Sequence, residues 1–155
     1  MSNEYKDWRR EQNLELVQKF PFLLPRNRFT GEVVKDYDYE YTELDDMGYG
    51  WRHAFGEQMC QEIKDALIEE GCLDQYRIVQ IKEKFGGLRW YDNGAPRKVD
   101  EIITKYSALS EKTCVKCGEP ATKESIGWIS PYCDKCAAEL EKKGIHFVKL
   151  GEGML

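Results

Sequence analysis

Apolar residues recur along this chain at two periods, and the switches between the periods predict its elements. Over 51–70, Phe55, Met59, Ile63, Ala66 and Leu67 recur at helical spacing, and Gly71 supplies a stop. Over 96–111, Val99, Ile102, Ile103, Tyr106 and Leu109 form an unbroken stripe, with Pro96 at a favourable first helical position. An earlier helix over 4–20 carries the weaker stripe Trp8, Leu14, Leu16, Val17 and Phe20, and Pro21 ends it. Phe22, Leu23 and Leu24, between Pro21 and Pro25, are expected to tuck into the core. A fourth helix runs from Asp134 to Lys143, before Gly144.

The second period is two. Tyr37, Tyr39 and Tyr41 alternate with Asp36, Asp38, Glu40 and Thr42, which predicts a strand within 33–44 with an aromatic face inward and an acidic face outward. Residues 76–92 predict a β-hairpin turning at Gly86-Gly87. Val79 and Ile81 fall on one of its faces and Gln80, Lys82 and Lys84 on the other, while Arg89 and Tyr91 oppose Leu88 and Trp90. Two short strands are expected between Ala121 and Tyr132, and a last one over 145–150. The sum is an α+β fold: a small antiparallel sheet packed by three helices, plus a C-terminal treble-clef-like zinc module. The divisions are a body over 1–112, the module over 113–144, and a strand and frayed tail over 145–155.

The cysteines supply that module. Cys114-Val115-Lys116-Cys117-Gly118 and Cys133-Asp134-Lys135-Cys136 are two C-x-x-C pairs separated by fifteen residues, the spacing of a four-thiolate structural zinc site. One structural Zn²⁺ is expected on Cys114, Cys117, Cys133 and Cys136, with Gly118 easing the first hook and Trp128 and Tyr132 packing around the metal. Such a site is closed and offers a substrate no open position. Cys60 and Cys72 read as two buried thiols. Six cysteines, four of them spent on metal spacing, point to a reducing, cytoplasmic setting. No apolar run is long enough to cross a membrane, and no membrane partner is expected.

Charge changes the picture of partners. The chain carries a net charge of −5, but residues 1–72 hold nine Lys/Arg against sixteen Asp/Glu, while 73–155 hold fourteen against twelve. That imbalance argues against a general duplex-DNA binder. The acids of 31–47 read either as edge-strand protection or as a docking stripe for a basic protein surface, with Asp36, Asp38, Tyr39, Glu40, Asp45 and Asp46 as its residues. Acids on alternate strand residues lie about 7 Å apart, which would imitate spaced phosphates. The hairpin offers the opposite chemistry. Lys82, Lys84 and Arg89 either pair with Asp38 and Glu40 inside one sheet or, with Trp90 as a stacking platform, hold a small anion such as a nucleotide.

One string is specific. Ile81-Lys82-Glu83-Lys84-Phe85-Gly86-Gly87-Leu88-Arg89-Trp90-Tyr91, set between the two amphipathic helices and followed by Cys-x-x-Cys-Gly, Gly127-Trp128-Ile129 and Cys-Asp-x-Cys, resembles a group of small uncharacterised proteins of bacteria and their phages. The resemblance covers about residues 47–136. It carries no activity; it implies a phage or mobile-element protein acting on a host, in the host cytoplasm. The first 46 residues lie outside it.

No Ser/His/Asp or Cys/His set is apparent, and the two histidines, His53 and His146, are not placed as a nuclease built on a treble clef would need. Metal-dependent hydrolysis by the acids of 36–46 alone is the remaining enzymatic reading. The expectation is a non-enzymatic, zinc-stapled interaction module that inhibits or modulates a host protein with a basic surface. Binding of a small anionic ligand and binding of nucleic acid by the zinc module are the alternatives.

Overall fold

The structure is a computed structural model that describes residues 3–151, with side chains described from Trp8 onward. The expected frayed end beyond Gly151 therefore lies outside the described residues.

The first helix, α1 (Asn3–Lys19), ends before a 3₁₀ turn over Pro21–Leu23. Its apolar stripe is thinner than the sequence suggests: Leu16 and Phe20 are buried, but Trp8 and Leu14 face solvent. Asn13 takes the inward position between them, fully buried, and its Nδ2 donates to the Tyr39 carbonyl at 2.7 Å. A buried amide is stable there because it is hydrogen-bonded.

Residues 31–47 do not form the expected strand. Asp36 and Tyr39 both adopt left-handed backbone, at φ 57° and 66°, which breaks the extended alternation twice. The carbonyls that a ladder would have used go elsewhere: Tyr39 to Asn13, and Glu40 to the Arg9 Nε at 2.9 Å. Tyr37, Tyr39 and Tyr41 gather into one ring cluster, Tyr37 lying 4.8 Å and 5.6 Å from the other two centroids. The segment closes in a 3₁₀ turn over Glu43–Asp46, capped reciprocally by Thr42 and Asp45.

The next helical rod is interrupted. α2 (Tyr49–Trp51) passes through a π turn over Arg52–Gly56 into α3 (Glu57–Glu69). Met59, Ile63, Ala66 and Leu67 of α3 are fully buried, as the stripe requires, each of the larger ones worth about 1.5–3 kcal/mol of burial. Cys60 is buried beside them, and burial pushes its thiol up to about 12.

Strands β1 (Ile78–Lys84) and β2 (Gly87–Asp92) form the antiparallel hairpin. A bulge between Ile78 and Gln80 shifts the alternation, so Ile78 and Ile81 point inward and Val79 outward. The turn is Phe85-Gly86, not Gly86-Gly87: Lys84 pairs with Gly87, and φ is positive at both central residues, 52° and 79°. β1 pairs with β2 alone, so the cross-strand pairing of Lys82 and Lys84 with Asp38 and Glu40 does not occur. α4 (Arg97–Ser110) packs on β2 and α3 through Val99 and Tyr106.

The C-terminal third contains a three-stranded sheet ordered β4-β3-β5, from β3 (Lys123–Ser125), β4 (Pro131–Tyr132) and β5 (Phe147–Lys149), together with α5 (Asp134–Glu141). A knuckle, a short hairpin and a helix bring four cysteines together, as the α+β reading with a treble-clef-like module expects. No described helix is long and apolar enough to cross a membrane.

Candidate metal centre and the surfaces around it

Cys114 and Cys117 sit on the knuckle, which closes through Gly118 N–H donating to the Cys114 carbonyl at 2.9 Å, with Gly118 at φ 90°. Cys133 is the residue capping the N-terminus of α5, and Cys136 lies in its first turn, donating its N–H to the Cys133 sulfur at 3.4 Å. The four sulfurs all lie within 4.8 Å of one another, and Cys117 and Cys133 Sγ are 3.6 Å apart. A tetrahedral zinc with Zn–S bonds of about 2.3 Å places its sulfurs roughly 3.8 Å apart, so the arrangement fits such an ion.

The local electrostatics agree. Burial opposes ionisation of Cys114, but backbone N–H groups of Cys133, Cys117 and Lys116 aimed at its sulfur outweigh it and bring the thiol down to about 7. Burial and the three neighbouring sulfurs push Cys136 far up. Sulfurs this close cannot all ionise without a cation among them. Among the described residues these cysteines are the one cluster of three or more His, Cys, Asp or Glu that could hold a metal ion. Tyr132 packs against the cluster, edge-on to Phe147 at 5.5 Å. Trp128 does not: it is 75% exposed, and its Nε1 donates to Glu83 at 3.0 Å.

The module is fastened to the body at two places that the sequence reading missed. Gly50 N–H donates to the Val115 carbonyl at 2.7 Å, and Trp51 Nε1 to the Thr113 carbonyl at 2.9 Å. A β-carbon on Gly50 would collide with the Cys114 carbonyl and come within 2.7 Å of the Cys117 nitrogen. A Gly-x-Gly before an amphipathic helix is the one sequence signal for such a close approach. At the second place, Glu83 Oε1 accepts from Trp128 Nε1 and, at 2.6 Å, from the Ser130 hydroxyl, while Ile129 packs over Gly86.

Most of the predicted acidic docking stripe is internally paired. Arg10 reaches Asp38 at 3.4 Å and Glu40 at 2.9 Å, and Asp45 takes both Arg9, at 3.1 Å, and Arg52. Tyr39 is half-buried in the tyrosine cluster; Asp36 and Asp46 remain exposed. With left-handed backbone at Asp36 and Tyr39, these acids do not stand at strand spacing.

Lys82, Lys84 and Arg89 are brought together. Lys82 and Arg89 face each other across the hairpin on its outer side, Lys84 follows two residues on, and Tyr91 lies on the same face with Lys82 Nζ 5.8 Å from its ring centroid. Trp90 is not with them. It is buried on the inner face, its Nε1 donating to the Tyr76 hydroxyl at 2.9 Å, so it offers no stacking surface.

A well-formed cleft of about 710 Å³ lies elsewhere, between α1 and the π turn. Trp8, Arg9, Asp45, Tyr49, Arg52, His53 and Glu57 are among its lining residues, and the Arg9–Asp45–Arg52 contacts span it. His53 stacks on Tyr49 at 6.2 Å and 10°. Comparison with protein-family models, with curated proteins and with solved structures finds no match to this chain.

Proposed function

We propose that this chain is a non-enzymatic, zinc-stapled recognition module, and that it engages a macromolecular partner at the junction where the β1–β2 hairpin tip meets the zinc module. Phe85 carries this reading. It stands at φ 52° in the tightest position of the turn, 72% exposed, where glycine or asparagine is favoured. A bulky side chain in left-handed backbone costs on the order of 1–2 kcal/mol, and the ring buries little against the fold to offset it, with the Lys84 ammonium 5.6 Å from its centroid. A ring held there at a loss to folding is explained by a use outside the fold.

Its surroundings support the same surface. Trp128 and Ile126, on the neighbouring loop of the zinc module, are 75% and 57% exposed. That loop is not slack: the Ser125 hydroxyl donates to the Trp128 carbonyl and accepts the Ser130 N–H at 3.0 Å. Exposed apolar side chains on a rigid frame are the ordinary composition of an interaction site. Zinc is the ion we assign to the four sulfurs, because a closed, four-thiolate, tetrahedral set suits a structural zinc. The resemblance to bacterial and phage proteins makes a host macromolecule in a reducing cytoplasm the natural target.

Capture from bacterial lysate tests the surface, run with and without nuclease. Phe85→Asn is expected to abolish capture while the protein stays folded; neutralising Asp36, Asp38 and Glu40 together is expected to leave it intact. The reverse pattern would return recognition to the acidic segment. Elemental analysis is expected to find about one zinc per chain.

A further inference from the structure

We infer that the partner taken at this junction is single-stranded nucleic acid, its phosphates held by Lys82, Lys84 and Arg89 and its bases stacked on Tyr91, Phe85 and Trp128; the inference rests on the recognition surface proposed above. Three observations favour this chemistry.

The first is unneutralised charge. Lys82 and Arg89 are direct cross-strand partners, an arrangement of like charges that weakens a hairpin. Among the described residues no ion pair joins Lys82 or Lys84 to a carboxylate, and Arg89, which shares the edge at Gly87 with Glu111, forms no direct ion pair, although the chain as a whole is acidic. Cations left open beside one another suit a polyanion. Lys82 and Lys84 on alternate residues stand about 7 Å apart, a spacing that two successive phosphates of an extended strand can meet.

The second is the rings. Tyr91, on the cationic face, is 44% exposed, Phe85 caps the tip, and Trp128 follows on the far side with its indole N–H tied to Glu83. Aromatic faces in sequence beside a basic track are how single strands are held without regard to base identity. Lysine, by contrast, is depleted from protein–protein interfaces.

The third is shape. The cleft between α1 and the π turn and a smaller one beside Arg26, Arg28 and Glu43 are both lined by other residues, and the cations stand on the outer face of a two-stranded ribbon with Trp90 turned inward. An open ribbon suits a polymer that tracks along it; a free nucleotide would need an enclosing pocket.

Fluorescence anisotropy with labelled oligothymidylate and oligouridylate of about 15 nucleotides tests the inference. The full chain is expected to bind both. Three phosphate contacts give a log–log salt slope of about −2 between about 50 and 200 mM salt. Lys82→Gln with Lys84→Gln is expected to reduce the slope to about −0.7, and Phe85→Asn to weaken binding about tenfold at unchanged slope. Circular dichroism confirms that each variant is folded. No binding by the unaltered chain at low salt, or an unchanged slope in the double variant, overturns the inference. If oligonucleotides fail to bind but Phe85→Asn still abolishes capture of a nuclease-resistant partner, the surface stands and its partner is a protein.

Discussion

Gly50 and Cys114 touch backbone to backbone: the first turn of the central helical rod lies against the metal knuckle with no room for a side chain between them. Glycine inside a helix ordinarily costs about 1 kcal/mol relative to alanine. At Gly50 the sign should reverse. Gly50→Ala is expected to destabilise the protein by about 3 kcal/mol or more and to speed metal release to a chelator. Thermal melting and a chromophoric chelator assay check both effects. A stabilised Gly50→Ala protein would mean that the rod and the knuckle are not in contact.

Glu83 fastens the other side of the same junction. Removing its carboxylate in Glu83→Ala leaves Trp128 Nε1 and the Ser130 hydroxyl without their shared acceptor. The expected cost is about 2 kcal/mol in urea denaturation. The indole N–H resonance of Trp128 should also lose its protection from exchange. A variant with unchanged Trp128 protection would separate the hairpin from the module.

Stability should depend on pH through Glu43. Burial, reinforced by Asp46 and opposed by Arg28 and a backbone contact at Arg26, raises its carboxyl to about 7 from the ordinary 4.5. The folded state therefore holds the proton more tightly than the unfolded chain does. Stability is lost as pH rises from about 4.5 through about 7. Glu43→Gln is expected to stabilise the protein near pH 8 by about 1 kcal/mol, after allowance for solvent screening of this half-buried group, and to change little near pH 4. Denaturation of both proteins at the two pH values checks the sign.

The helices and the metal centre were legible because each depends on local spacing. Met59, Ile63 and Leu67 lie on one face of any helix they occupy, and the two C-x-x-C pairs need only two hooks to meet. The acidic segment was misread because alternation implies a strand only if every residue stays extended. Asp36 and Tyr39 do not, and the partners that stabilise the alternative, Arg9, Arg10 and Asn13, stand on α1, far away in sequence. In the hairpin a single bulge turned Val79 outward, and a turn placed one residue earlier than the glycine pair suggested put Phe85 at the tip. The closeness of Gly50 to the knuckle was not readable, since it depends on which surface the helix meets.

Hydrogen exchange with and without the metal tests most directly the claim that the four-cysteine site exists to hold the recognition junction in place. Stripping the metal from the intact chain is expected to speed exchange across 123–132 and 147–149, and with them the hairpin tip at 83–88, while α3 and α4 keep their protection. Unchanged exchange at 83–88 and 123–132 in the metal-free protein would contradict the account.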